Sequence, residues 1–276
     1  MVPFVSRRFL RCWSVLLALA ASSLSAQVVV TSYVETGNLP ANDDNHSAAV
    51  SLGFSINFGG STYSQTYVSN NGYITFGSGS GDYTPVAFDA NYAAGGSPGL
   101  PIIAAFMSDV DTRGANSGIV AWGTGLVDGR AAFVAKWPSV GEYPYTANPN
   151  SSNSFEIVLV DRSDTGTGNF DVFFNYMSLN WDNGGAVAGF HNGSTTSPLF
   201  YQLPGSLTEG AFLPSGANDL TLASNTNSAG DILLQARNGA FLSVGTIAAI
   251  PEPSTYALMA VGGGLLLLAA RRRRRA

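Results

Sequence analysis

Chemistry begins with groups that can move protons, hold ions or attack, and residues 27–250 of this chain carry few of them. Only His46 and His191 offer a base poised near neutral pH, the usual partner of a nucleophile. His46 lies in the polar stretch 42–47, read as a loop. His191 stands at the end of an expected strand, before Asn192-Gly193, and both histidines are expected to be surface or turn residues. No nucleophile elbow, phosphate loop or zinc spacing is present, and GSGSG at 77–81 centres on Gly79 rather than on a serine. The carboxylates offer more. Asp109, Asp111 and Gly114 form D-x-D-x-x-G, the spacing that starts a calcium loop. Arg113 takes the next ligand position and Val120 the place of the closing glutamate, which excludes an EF-hand. Two readings stay open. In one, Asp109 and Asp111 bind calcium together with another loop. In the other, both accept backbone N–H groups in a turn while Arg113 neutralises one. Calcium apart, no cofactor is expected. Asp161, Asp164 and Asp171 could supply the paired carboxyls of a glycosidase, although turn and solvent-face roles explain them more simply. Tyr63, Tyr67, Tyr73, Trp122, Trp137, Tyr143 and Tyr145 suit either stacking on sugar rings or core and cross-strand packing.

The two ends carry chemistry of a different kind. Arg7, Arg8 and Arg11 flank the start of a short apolar run over 12–21, and small residues follow. This pattern predicts a signal peptide over 1–26, cleaved between Ala26 and Gln27. Cys12 follows Leu10 and Arg11, not the small residues a lipoprotein signal needs. At the other end Pro251, Glu252 and Pro253 precede an apolar run over 255–270, and Arg271, Arg272, Arg273, Arg274 and Arg275 follow it. A helix of that length spans roughly 24 Å, against a hydrocarbon core of about 30 Å. Arginine snorkelling and local thinning close the gap. The arginines are expected to stay cytoplasmic, with everything before Pro251 outside the inner membrane.

Those ends hold eight of the thirteen basic residues, so residues 27–250 keep five against seventeen acidic ones, a net charge of −12. Such a surface repels nucleic acid and anionic polymers, and no nucleic-acid partner is expected. Cys12, the one cysteine, leaves with the signal, so an ordinary core must hold the mature chain without disulfides. Charged residues make up 11% of the chain, well below the usual share of about 25%. Gly, Ser, Thr and Asn take their place, which favours short strands and polar loops over helices.

The elements that must position these residues read as strands. Phe155, Ile157 and Leu159 alternate before a turn at 161–168, and Phe170, Val172, Phe174 and Tyr176 alternate on the return. A second hairpin joins 119–126 to 131–137 through Asp128-Gly129, a pair that tolerates positive φ. A third joins 63–68 to 73–76 through Asn70-Asn71-Gly72. Further strands are expected at 52–58, 102–107, 186–191 and 232–236, with a long surface loop over 77–101. The fold class predicted is all-β, a single β-sandwich-like domain of short antiparallel strands over 27–240, with a linker over 241–250.

Two resemblances attach to these residues. Pro251-Glu252-Pro253, the apolar helix and the arginine cluster, in that order over 251–276, resemble the PEP-CTERM sorting signal of bacteria with a two-membrane envelope. That resemblance implies a partner, an exosortase-type transpeptidase that removes the tail, and a transient stay in the inner membrane. YVSNNGYITFG at 67–77, PIIAAFMSDVDTRG at 101–114, FVAKWPSVGEY at 133–143 and AVAGFHNG at 186–193 resemble, in order, the nidogen-type extracellular (NIDO) domain over 52–205. It implies a non-enzymatic role in cell–matrix adhesion. Its animal members sit among cysteine-rich modules, which do not occur here, so their partner specificity is not carried over. The expected protein is therefore an exported surface or extracellular-matrix protein that meets extracellular polysaccharide or matrix proteins. A carbohydrate-binding module and, further off, a secreted polysaccharide hydrolase stand as rivals.

Overall fold

The computed structural model describes residues 30–95, 98–144, 151–226 and 228–249. The chain forms β1 (Thr31–Asn38), β2 (Val50–Phe58), β3 (Ser61–Val68), β4 (Tyr73–Thr75), the one-turn helix α1 (Tyr92–Gly95), β5 (Ile102–Met107), β6 (Val110–Asp111), β7 (Ala121–Val127) and β8 (Arg130–Glu142). It continues through β9 (Asn153–Asp161), β10 (Phe170–Ser178), β11 (Val187–His191), β12 (Phe200–Gln202), β13 (Ala223–Ser224), β14 (Asp231–Arg237), β15 (Ala240–Phe241) and β16 (Ala248–Ala249). One sheet has the order β1-β7-β8-β9-β10-β14-β15, with β6 beside β8, and the other β12-β11-β5-β4-β3-β2. A short pair, β13-β16, stands apart. The ladders are antiparallel, as expected of hairpin-rich sequence. No helix among the described residues is long and apolar enough to cross a membrane.

Alternation along each strand decides which side chains go inside. Phe155, Ile157 and Leu159 of β9, and Phe170, Val172, Phe174 and Tyr176 of β10, turn inward together. They share one core with Leu52, Ile56 and Phe58 of β2, Ile103 and Ala105 of β5, and Ala188 and Phe190 of β11. Both sheets therefore feed a single core, the arrangement of a sandwich. Trp137 lies stacked on Phe155 with ring centroids 5.1 Å apart. The Tyr176 hydroxyl crosses the core and donates to the Ala105 carbonyl at 2.7 Å, tying β10 to β5.

The hairpins fall where alternation and turn residues put them. Val127 pairs with Arg130, leaving Asp128 and Gly129, both at positive φ, as a two-residue turn. In β8 the register shifts between Trp137 and Val140, so Pro138 falls at a bulge where its missing N–H breaks no ladder. Gly72 has φ +84°, and a Cβ there would sit 1.9 Å from the Phe106 carbonyl oxygen. The Asn-Asn-Gly turn thus requires glycine both for its conformation and for its contact with β5.

The stretch 77–101 differs from the surface loop expected. Phe88 and Tyr92, with Val86 and Ala93 packed beside them, join Tyr73, Ile102, Ala104, Met107 and Val187 in a second apolar cluster. The stretch is a cover, because the sheet face beneath it is apolar and would otherwise meet water. Residues 240–249 also contribute: Phe241 stacks on Phe190 at 3.8 Å between centroids.

Candidate functional site

Three loops meet at one end of the sandwich, and the Asn-Asn-Gly turn between β3 and β4 holds them. Asn70 is fully buried, and its Nδ2 donates to the carbonyls of Asp43 at 2.5 Å and Val110 at 2.6 Å. Asn71, also buried, donates to Asp44 Oδ1 at 3.0 Å and to the Gly81 carbonyl at 3.2 Å, while its Oδ1 accepts from Val110 N at 2.9 Å. Trp137 Nε1 donates to the carbonyls of Ser69 and Asn70 at 3.2 and 2.9 Å. Segments from Asp43 to Val110 are thereby fixed by two side-chain amides and one indole, each buried and satisfied.

This turn places the carboxylates differently from the expected Asp109–Asp111 pair. Asp111 is buried against Arg113, which donates through Nε to Oδ1 at 2.9 Å and through a terminal nitrogen to Oδ2 at 2.7 Å. A bidentate fork of this kind engages both carboxylate oxygens of Asp111 and offsets its charge. Asp109 instead meets Asp43 and Asp44, with one oxygen of each within 4.8 Å of the others. Burial pushes the Asp109 carboxyl up to about 6, helped by the negative charges of Asp44, Asp43 and Asp111 and opposed by Arg113. Arg113 also reaches Asp43 Oδ2 at 2.8 Å. Asp43, Asp44 and Asp109 are the described carboxylates that could hold a hard cation. The sequence did not offer this trio, because Asp43 and Asp44 enter from a loop some 65 residues away.

The other carboxylates considered are engaged in ion pairs or turns. Asp171 meets Arg162 and Arg237, each at 2.6 Å, and Asp164 meets Arg162 at 3.0 Å and Arg130 at 3.1 Å. Asp161 accepts from the backbone and hydroxyl of Ser163 at 2.9 and 3.0 Å. His46 donates from Nδ1 to the Ser47 carbonyl at 2.8 Å and meets the Tyr67 ring edge-on.

His191 corrects the expectation of a surface or turn residue. It is fully buried between Tyr92, 4.5 Å from its ring centre, and Phe200, which lies parallel at 5.6 Å. Its Nδ1 accepts from Gly193 N at 2.9 Å, and burial lowers its pKa, an effect partly offset by the Asp89 backbone and charge. Tyr92 of the cover and Phe200 of β12, brought together by no local pattern, enclose it.

A polar row crosses the larger sheet on its other face. Lys136 pairs with Glu156, Glu156 with Asn175, and Asn175 with Asp231, on four neighbouring strands. Asn175 donates to Glu156 Oε1 at 2.8 Å, and the Lys136 ammonium lies 3.7 Å from the centre of the Tyr33 ring. Burial raises the pKa of Glu156 and pushes that of Asp231 up to about 6. Asn175 Oδ1 and Asp231 Oδ1 are buried acceptors without a hydrogen-bond donor.

The aromatic residues divide. Trp137 and Tyr73 are wholly buried, whereas Tyr143 is 43% exposed and Tyr63 and Tyr67 are half-buried. Trp122 is half-buried and lines a cleft of about 420 Å³ at the side of the sandwich. Tyr145, the cleavage residues Ala26 and Gln27, the motif Pro251, Glu252 and Pro253, the helix over 255–270 and the cluster Arg271–Arg275 lie outside the described residues.

Fold and surface together define the class, an antiparallel β-sandwich with polar groups gathered at its loop end and an open cleft at its side. The chain belongs to the NIDO-related family, which it matches over residues 22–233. Residues 249–275 match the PEP-CTERM protein-sorting motif, which marks the protein as exported. Among curated proteins it is similar to alpha-tectorin of Mus musculus, 29% identical over 203 residues, covering 61% of this chain and 9% of that protein. It is likewise similar to alpha-tectorin of Homo sapiens, 28% identical over 236 residues, covering 72% of this chain and 10% of that protein. The chain thus spans about a tenth of the length of these relatives. No solved structure matches it.

Proposed function

We propose that this protein is a non-enzymatic component of the cell surface or extracellular matrix, made to be freed from its own tail. It passes through the inner membrane as an intermediate, and an exosortase-type transpeptidase acts at Pro251-Glu252-Pro253. The released β-sandwich then makes contacts of adhesion or support with extracellular polysaccharide or matrix proteins. The observation that carries this reading is the sorting-motif match over 249–275 directly behind the NIDO-related match over 22–233. Two features support a contact role: the ion pairs that engage Asp164 and Asp171, and the burial of His191. Fractionation of cells carrying wild type or a Pro251→Ala/Glu252→Ala/Pro253→Ala variant tests it. Wild type is expected outside the cell and the variant in the inner membrane; the same location for both would remove the sorting step.

Calcium belongs to this reading at Asp43, Asp44 and Asp109 rather than at Asp109 and Asp111, because the three carboxylate oxygens converge. Thermal unfolding is the check. Millimolar calcium is expected to raise the Tm of wild type but not of Asp44→Asn/Asp109→Asn. Equal wild-type Tm in calcium and in chelator removes the ion from the account.

A further inference from the structure

We infer that the cleft beside Trp122 is a binding site for a neutral glycan, a role that deepens the extracellular reading above and rests on it. The cleft lies where the sandwich opens, between β1 and β7 of one sheet and β2, the edge strand of the other. Trp122, Thr36 and Thr124 line one wall, and Ala48, Ala49 and Ser51 stand among the residues of the other.

Comparison with the other described tryptophans shows why Trp122 is different. Trp137 Nε1 and Trp181 Nε1 are buried and donate to backbone carbonyls. Trp122 is half-buried, and no described residue accepts from its indole N–H. Its ring is also braced: a Cβ at residue 37 would come within 2.6 Å of Trp122 Cζ2, so only glycine lets β1 lie against the indole. A fixed aromatic surface with a donor at its rim suits a sugar, which offers apolar C–H faces and hydroxyl edges together. Thr36, Ser51 and Thr124 add hydroxyls that donate and accept alike, the complement of sugar hydroxyls.

Charge selects among sugars. The cleft lining holds no Asp, Glu, Lys or Arg, and the surrounding chain over 27–250 carries a net charge of −12. An anionic polysaccharide would be repelled and would find no cation to pair with, whereas a neutral one meets neither cost. A volume of about 420 Å³ is at the lower end of small-ligand pockets, enough for one or two rings of a longer chain.

Calorimetric titration of the full-length chain in detergent tests this, with neutral gluco-, manno- and galacto-oligosaccharides and an anionic oligogalacturonate as probes. Saturable binding of at least one neutral probe is expected, with none for the anionic one. Trp122→Ala should weaken it about tenfold or more, and Trp122→Phe, which keeps a stacking ring, by about threefold. Thr36→Ala/Thr124→Ala supplies a second loss that leaves the indole in place, and circular dichroism verifies that each variant folds. Failure of every neutral probe to bind at millimolar concentration, or equal binding by Trp122→Ala, overturns the site. So does a concentration-dependent dimer that Trp122→Ala abolishes, since the cleft would then hold a second copy. Because binding is measured on purified protein, its failure leaves the localisation result standing, and failure of sorting leaves the binding result standing.

Discussion

Asp231 sits 3% exposed on the larger sheet, with Thr226 donating to one oxygen at 2.9 Å and the other oxygen without a donor. Burial, with the nearby Glu156 charge, pushes its pKa from 3.8 up to about 6. Between those values the folded protein binds more protons than the unfolded one, so stability falls as pH rises through that window. Asp231→Asn is expected to stabilise the protein by about 1–3 kcal/mol at pH 7. Asparagine still accepts from Thr226 and adds an N–H that Asn175 Oδ1 lacks. Denaturant unfolding at pH 4.5 and pH 7.5 would show a flatter dependence in the variant; an unchanged slope would contradict the assignment. Asp109 and Glu156 shift in the same direction, so they steepen the wild-type fall. His191 opposes it: its lowered pKa makes protonation cost stability as pH drops below about 6.5.

At the scale of elements, Phe58 is the joint between strands. It meets Phe76, Phe170, Phe190 and Phe241 edge-on, at centroid distances from 5.6 to 6.5 Å, and so links both sheets to β15. Phe58→Ala is expected to cost about 3–5 kcal/mol, because the cavity is walled by rings from three strands and the bend at Phe76 and cannot collapse. A loss below about 1 kcal/mol in chemical denaturation would mean that the cluster is not a joint. The hairpins β7-β8 and β9-β10 were legible in the sequence because alternation and turn residues are local signals. β1 was not, because most of its side chains are exposed at a sheet edge and no apolar alternation marks it. The partners of Asp111 and His191 were equally hidden. Arg113 stood in view as a neutralising charge, but its link to Asp43, seventy residues away, and the cover over His191 arise only when distant segments meet.

For the whole molecule, the proposal is that both ends are removed and the sandwich remains. Residues 27–250 carry a net charge of −12 and no cysteine, so the sandwich holds through its core without disulfides, and its charge favours neutral or cationic surfaces over anionic ones. The sorting motif was legible in the sequence because it is read from residue order, which the geometry of the sandwich does not carry. Intact-mass analysis of the protein recovered from outside wild-type cells tests the central claim most directly. The account predicts one species that starts at Gln27 and ends near Pro251, lacking the apolar run and all five closing arginines. Recovery only of chains that still carry Arg271–Arg275, held in the membrane, would contradict it.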